Sequence, residues 1–260
     1  MRLSISKIKA FKSCRKLYQF QYLEELEPVQ KSEALRLGSN YHELLEIINT
    51  QGDLTSVEED YSVEQAMATA YMKYIYPHFK VVAAEKWLTY DLGNGDTLVG
   101  IVDGIAADGH IVEHKSYGSE ITEQYEYNLQ WDEQILAYML MTGMRSVWYT
   151  ICRKPTIRQG KNETDEEFFK RMVTWYDEDT DKKIRLLEIT RTDEEVNEFK
   201  DELFRMLDEM KNATHFYRNT CHCNMWGRRC EYSSICLNYD PNQEYLEFVK
   251  RETKNGTETN

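Results

Sequence analysis

Residues 98–115, Leu-Val-Gly-Ile-Val-Asp-Gly-Ile-Ala-Ala-Asp-Gly-His-Ile-Val-Glu-His-Lys, constrain this chain more than any other segment. The apolar pairs Ile101-Val102 and Ile111-Val112 favour strands, and Asp108-Gly109 between them signals a turn. Two strands, over 97–105 and 111–115, are therefore predicted to lie side by side. Side chains two apart on a strand share a face. Glu113 and Lys115 then project together, and the turn brings Asp103 alongside. Converging carboxylates repel each other, and a divalent cation between them relieves that repulsion. Oxygen ligands of this kind suit Mg²⁺ or Mn²⁺. An ammonium beside such a cation fits phosphodiester hydrolysis, where it offsets charge in the transition state. A salt-bridged surface hairpin draws on the same residue types, and Glu-x-Lys alone does not separate the two readings.

The flanking sequence gives the setting. Residues 5–25 predict a helix with Ser6 as N-cap, residues 32–49 a second, and 62–79 a third that ends near Pro77. Strands follow over 84–91 and 97–105, joined by Gly93-Asn94-Gly95-Asp96 as a hairpin. After the strand at 111–115 comes a long helix over 122–142 and a buried strand over 146–152. A helical piece near 164–175, a strand over 184–190 and an amphipathic helix over 193–211 complete the pattern. The polar tail from Lys250 to Asn260 is expected to fray. The order is a helical start, three strands in a meander, a helix and a strand, which is α/β in class.

Composition narrows the function classes. With 260 residues the chain can bury a sizeable core without disulfides. Its 32 Lys and Arg against 45 Asp and Glu leave a net charge of −13, which excludes a wholly basic, histone-like binder. The basic residues are not spread evenly: Arg2, Lys7, Lys9, Lys12, Arg15 and Lys16 precede the first acidic residue. No apolar run is long enough to span a bilayer and no apolar leader opens the chain, so a cytoplasmic protein with reduced cysteines is expected.

Several spaced motifs resemble the PD-(D/E)XK nuclease superfamily, in its RecB-like branch. Gly38-Ser39-Asn40-Tyr41-His42 resembles that family's Gly-x-x-x-His element, and Gly100-Ile101-Val102-Asp103 its acidic strand. Glu113-His114-Lys115 resembles the (D/E)-x-K core, and Gln134-Ile135-Leu136-Ala137-Tyr138 the Gln-x-x-x-Tyr helix. The resemblance implies a restriction-endonuclease-like core, a mixed central sheet flanked by helices. It places a helical N-terminal region at 1–80, the nuclease core at 81–192 and a C-terminal helix and cysteine region at 193–260. It also implies that His42, Asp103, Glu113 and the carbonyl of His114 hold Mg²⁺ or Mn²⁺, and that Lys115 is the catalytic lysine. Gln134 and Tyr138 would support the site and position the DNA backbone, with Glu85 a subsidiary acid. The implied activity is a DNA exonuclease acting on single-stranded DNA in phage or prokaryotic recombination, replication or repair. A helicase, recombinase or single-strand-binding protein would be its partner. The rival reading is a DNA-binding or docking module with weak nuclease activity.

Cys221, Cys223, Cys230 and Cys236 cluster late in the chain, Cys14 stands alone near its start, and Cys152 lies in a core strand. Their spacing leaves Zn²⁺ and an iron–sulfur cluster open. The family resemblance favours a [4Fe–4S] cluster on Cys14, Cys223, Cys230 and Cys236, with Cys221 the alternative to Cys223 and Zn²⁺ the alternative metal. The six-residue gap between Cys223 and Cys230, wider than in CRISPR-associated members, is similar to that of phage-encoded members. Arg218, Arg228 and Arg229 would then join the early basic residues in tracking phosphates, and Tyr18, Tyr22, Trp226 and Tyr232 would be candidates to stack on bases. Arg153-Lys154-Pro155-Thr156-Ile157-Arg158 is a further basic stretch with a candidate substrate or partner role.

Overall fold

A computed structural model describes residues 1–30, 32–225, 229–237 and 247–251. The chain opens with β1 (Arg2–Ser4), α1 (Ile5–Ser13), α2 (Arg15–Tyr18) and β2 (Leu26–Pro28). Two helices follow, α3 (Glu33–Gln51) and α4 (Val63–Tyr74), then the strands β3 (Val81–Gly93), β4 (Asp96–Ala106) and β5 (Ile111–Tyr117). Next come α5 (Glu123–Leu129), α6 (Glu133–Thr142), β6 (Ser146–Arg153), α7 (Asp165–Thr174) and β7 (Ile184–Thr190). The described chain ends with α8 (Asp193–Asn212), α9 (Ser233–Leu237) and β8 (Phe248–Lys250). Two compact units result, one of Met1–Arg2 with Glu33–Glu202 and one of Leu3–Ser32 with Leu203–Asn260.

The first unit is built on a mixed sheet ordered β4-β5-β6-β7, with β3 also paired to β4. Asn94 and Gly95 both take positive φ, 55° and 79°, which suits the two-residue hairpin turn between β3 and β4. β5 and β6 run parallel, so α5 and α6 form the crossover between them. β7 then pairs antiparallel to β6. Met1 meets the start of β4, its ammonium 2.6 Å from the carboxylate of buried Asp96.

Alternation along β6 divides the core. Val147, Tyr149 and Ile151 face one layer, with Ile135 and Met139 of α6 and Val196 of α8. Cys152 faces the other, with Tyr41, Leu45 and Ile48 of α3, Met67 and Tyr71 of α4, and Tyr176. Helices thus cover both faces of a mixed sheet, an α/β fold.

In the second unit, Phe20, Leu26, Tyr232, Ile235 and Phe248 form a small core, and β2 pairs antiparallel with β8. The helix expected over 5–25 is corrected here. It breaks at Cys14, whose backbone is extended (φ −161°, ψ 118°), and its N-cap is Ser4 instead of Ser6. Asn219 accounts for the break: its side-chain amide donates to the carbonyl of Ser13 at 2.7 Å, and its backbone N–H donates to the Cys14 sulfur at 3.3 Å. The helix expected over 122–142 also splits, because Asp132 caps α6 by accepting from the N–H of Gln134. The third helix stops at Tyr74, and a short 3₁₀ turn, Tyr76–His78, carries Pro77.

Two of the proposed base-stacking residues are corrected as well. Tyr18 and Tyr232 are core residues, 2% and 3% exposed. Tyr22 stacks on Tyr18, its centroid 5.9 Å away. Trp226, Arg228 and the tail over 252–260 lie outside the described residues.

Candidate active site and cysteine pocket

The ladder between β4 and β5 consists of two pairs, Gly104 with Val112 and Ile105 with Ile111. Beyond them a side chain takes over. The backbone N–H of His114 donates to Oδ2 of Asp103 at 2.6 Å, so the carboxylate replaces a strand carbonyl. Glu113 and Lys115 share a face, as their spacing requires, with Nζ 2.5 Å from Oε1 of Glu113. The same Oε1 accepts from the Gln134 side-chain amide at 3.1 Å. Gln134 also donates to the Tyr138 hydroxyl at 2.8 Å, and that hydroxyl donates to the carbonyl of Ile101 at 2.5 Å. Gly100 eases this approach: a Cβ there would stand 3.0 Å from the Tyr138 ring and from the end of the Met141 side chain, and both would have to shift.

Glu113 is 2% exposed, and its second oxygen, Oε2, has no hydrogen-bond partner. A buried carboxylate oxygen left unsatisfied is costly unless a ligand completes it. Burial, together with the charge of Asp103, pushes this carboxyl up to about 7 despite Lys115. Burial also opposes the Lys115 charge, but Glu113, Asp132 and Asp103 outweigh it and raise the ammonium above its ordinary range.

His42, on α3, places Nδ1 3.3 Å from Oδ1 of Asp103. Ligand atoms of His42, Glu85 and Asp103 all lie within 4.8 Å of one another, close enough for one cation. They share a cleft of about 530 Å³ with Leu35, Gly38, Ile101 and Ser116. Glu85 reaches it from β3 with φ at 45°, a left-handed conformation that is strained for a side chain of this kind. Burial resists the charge of Asp103, but His42 and His114 hold its carboxyl below the usual range. Burial likewise resists a charged His42, yet Asp103, Glu113 and Glu85 raise its pKa. Burial and Asp103 raise that of Glu85.

The structure thus brings His42 and Asp103 together, and Glu113, Lys115, Gln134 and Tyr138 into one hydrogen-bonded group. Glu113 is absent from the three-residue ligand group, whose third member is Glu85. The His114 side chain faces the opposite side of β5. Its ring nitrogens lie 2.6 Å from Thr150 Oγ1 and 3.2 Å from the Asn49 amide, which in turn accepts from Tyr71. Burial lowers the His114 pKa to about 4, which keeps the ring neutral.

Asp132 escapes a reading of the sequence. Its carboxylate accepts from Tyr149 at 2.8 Å and lies 3.8 Å from Lys115 Nζ. The only sequence signal is an Asp just before Glu133-Gln134, a helix-cap pattern hidden inside a longer helical periodicity. Asn49, Tyr71 and Thr150 carry no motif at all.

In the second unit, Cys14, Cys223, Cys230 and Cys236 line one pocket with Leu17, Phe20 and Tyr232. The backbone N–H of Cys230 donates to the carbonyl of Cys223 at 3.0 Å. Burial raises the Cys230 thiol pKa, and the other three thiols add to the rise. Cys221 is exposed and does not line the pocket. Cys152 is buried in the first unit, where burial pushes its thiol up to about 12. Arg15 pairs with Glu209 at 3.1 Å, and Lys16 donates to Gln19 at 2.9 Å, so both have partners within their own unit.

A family model of the PD-(D/E)XK nuclease superfamily matches residues 2–237, and the chain belongs to that superfamily. By class it is a nuclease. Among solved structures it is similar to a phage related exonuclease from Haemophilus somnus 129PT, at 12% identity over 71% of this chain and 89% of that one, with TM-score 0.36. It is also similar to an alkaline exonuclease (LHK-Exo) from Laribacter hongkongensis, at 15% identity over 81% and 88% of the two chains, with TM-score 0.37. These likenesses are loose, and membership rests on the family model alone. No curated protein sequence matches the chain significantly. Among the described residues, no helix is long and apolar enough to cross a membrane.

Proposed function

We propose that the chain is a metal-dependent DNA exonuclease acting on single-stranded DNA in phage or prokaryotic recombination, replication or repair. The observation that carries this reading is the buried, unpartnered Oε2 of Glu113 beside Lys115. The grouped donors suit a hard divalent cation, with carboxylates of Asp103 and Glu85 and one imidazole from His42, and Glu113 and the carbonyl of His114 would complete the set once the ion binds. Mg²⁺ or Mn²⁺ bound there would supply charge to polarise the scissile phosphate and activate water. Lys115 would donate to the phosphate oxygens as their charge grows, with Asp132, 3.8 Å from its ammonium, helping to hold it beside Glu113. Gln134 and Tyr138 fix Glu113 and the β4 backbone against α6.

A [4Fe–4S] cluster on Cys14, Cys223, Cys230 and Cys236 belongs to the same reading. The four thiols line one pocket, which supports a shared metal group, with Zn²⁺ as the alternative occupant. Sharing of the pocket favours Cys223 over Cys221.

The test is an anaerobic preparation assayed on single- and double-stranded DNA labelled at either end, with Mg²⁺ or Mn²⁺, beside Lys115→Ala. Progressive shortening of single strands by the wild type alone supports the proposal. No shortening by protein that retains its iron and fold supports a DNA-docking module instead.

A further inference from the structure

Three large apolar side chains stand in water: Leu35 and Ile101 at the cleft that holds the carboxylates, and Trp87 beside Ile101 on the hairpin, 56%, 42% and 50% exposed. Leu35 and Ile101 line the cleft itself, with His42, Glu85 and Asp103. Trp87 and Ile101 are direct partners in the β3–β4 register, so their side chains share one face. Glu85 lies between the paired residues Ala84 and Lys86, opposite Asp103, which lies between Val102 and Gly104. One face of the hairpin therefore carries two rungs. The first is Glu85 with Asp103, and the second, two residues along, is Trp87 with Ile101.

Two residues of strand span about 6.6 Å. That is roughly the step from one phosphate to the next along an extended nucleotide strand. The second rung is built firmly, since the Ile101 carbonyl accepts from buried Tyr138 at 2.5 Å and Gly100 allows that approach. The Arg2 guanidinium lies over one face of the Trp87 ring, 5.0 Å from its centroid, adds positive charge there and leaves the other face for a base. Core packing does not account for a half-exposed Trp paired with a half-exposed Ile at an acidic cleft. A flat apolar partner that is itself attached to a phosphate does.

We propose that Trp87 and Ile101, flanked by Leu35, form a platform for the base adjacent to the scissile phosphate, and so select an unpaired strand. A base held in a duplex has its faces covered by neighbours, so only an unpaired or frayed nucleotide presents a face to Trp87. This inference rests on the nuclease reading for which phosphate is cut, but its binding step is measurable without cleavage.

The test measures binding of fluorescent oligo(dT), and of an abasic strand of equal length, by anisotropy in chelator. Wild type, Trp87→Ala, Trp87→Phe and Ile101→Ser are compared, with cleavage of oligo(dT) by the wild type in Mg²⁺ or Mn²⁺ run in parallel. Trp87→Ala is expected to weaken oligo(dT) binding about tenfold or more, and Trp87→Phe to restore most of it. The abasic strand is expected to bind weakly and equally to all four proteins. Equal oligo(dT) affinity for wild type and Trp87→Ala would overturn the proposal, and would point to a protein partner at the rim. A loss that is as large on the abasic strand would overturn it too. Failure of the nuclease reading would appear separately, as no cleavage by the wild type with the binding differences intact.

Discussion

At the residue scale, the site turns on which charges hold Lys115. Its ammonium lies 2.5 Å from Glu113 and 3.8 Å from Asp132, and Tyr149 fixes Asp132 in turn. In the proposed mechanism, Asp132→Asn should lower kcat about tenfold while KM for DNA changes little, because the residue touches the lysine and not the strand. A matching rise in KM would show that Asp132 contacts substrate instead. Cys152 gives a second prediction at this scale. Only thiolate reacts with alkylating agents, and burial holds this thiol near 12. Iodoacetamide at pH 8 should therefore spare Cys152 in the folded protein and modify it after denaturation, as peptide mass mapping would read. Asp103, Glu113 and Lys115 were legible because the strand period of two puts them on one side. Asp132 was not, since its cap sits inside a helical periodicity that continues across it.

At the element scale, the helix breaks separate local pattern from tertiary demand. The apolar spacing over 5–25 and 122–142 reads as continuous helix, yet Asn219 interrupts the first and Asp132 the second. Both partners are remote in sequence or act through a cap, so periodicity alone does not reveal them. The same holds for Tyr18 and Tyr232, whose basic neighbours suggested a surface although both rings are buried. Tyr138 ties α6 to β4, and Tyr138→Phe should cost about 1–2 kcal/mol in urea unfolding by leaving the Ile101 carbonyl unsatisfied. An unchanged midpoint would mean that water replaces the hydroxyl. His114 adds a pH dependence. Its folded pKa, about 4, lies below the ordinary 6.5, so the unfolded chain binds the proton more readily. Its contribution is present above pH 6.5 and is lost as pH falls towards 4. In chelator, between pH 7 and 5, this residue removes as much as about 2 kcal/mol, and His114→Gln should lose correspondingly less.

At the scale of the whole molecule, the α/β class and the three-strand meander were legible from turn chemistry and period, whereas the parallel pairing of β5 with β6 was not read from them. The short pair β2–β8 was not, because three residues a side carry too little pattern. Net charge of −13 on a nuclease means that binding DNA must rely on a local surface. Affinity should therefore fall steeply between 50 and 200 mM salt, as anisotropy would show. The proposed cluster belongs to the second unit, and Cys230→Ser should remove both iron and the absorbance near 400 nm. A variant that kept both would place the cluster ligands elsewhere. The measurement that tests the central claim most directly is titration of the protein with Mn²⁺, followed by electron paramagnetic resonance, beside Glu113→Gln and Asp103→Asn. The account predicts that the wild type removes free Mn²⁺ from solution and that each variant, folded, binds it at least tenfold more weakly. Equal Mn²⁺ binding by all three proteins would contradict a metal centre at the buried Glu113 oxygen.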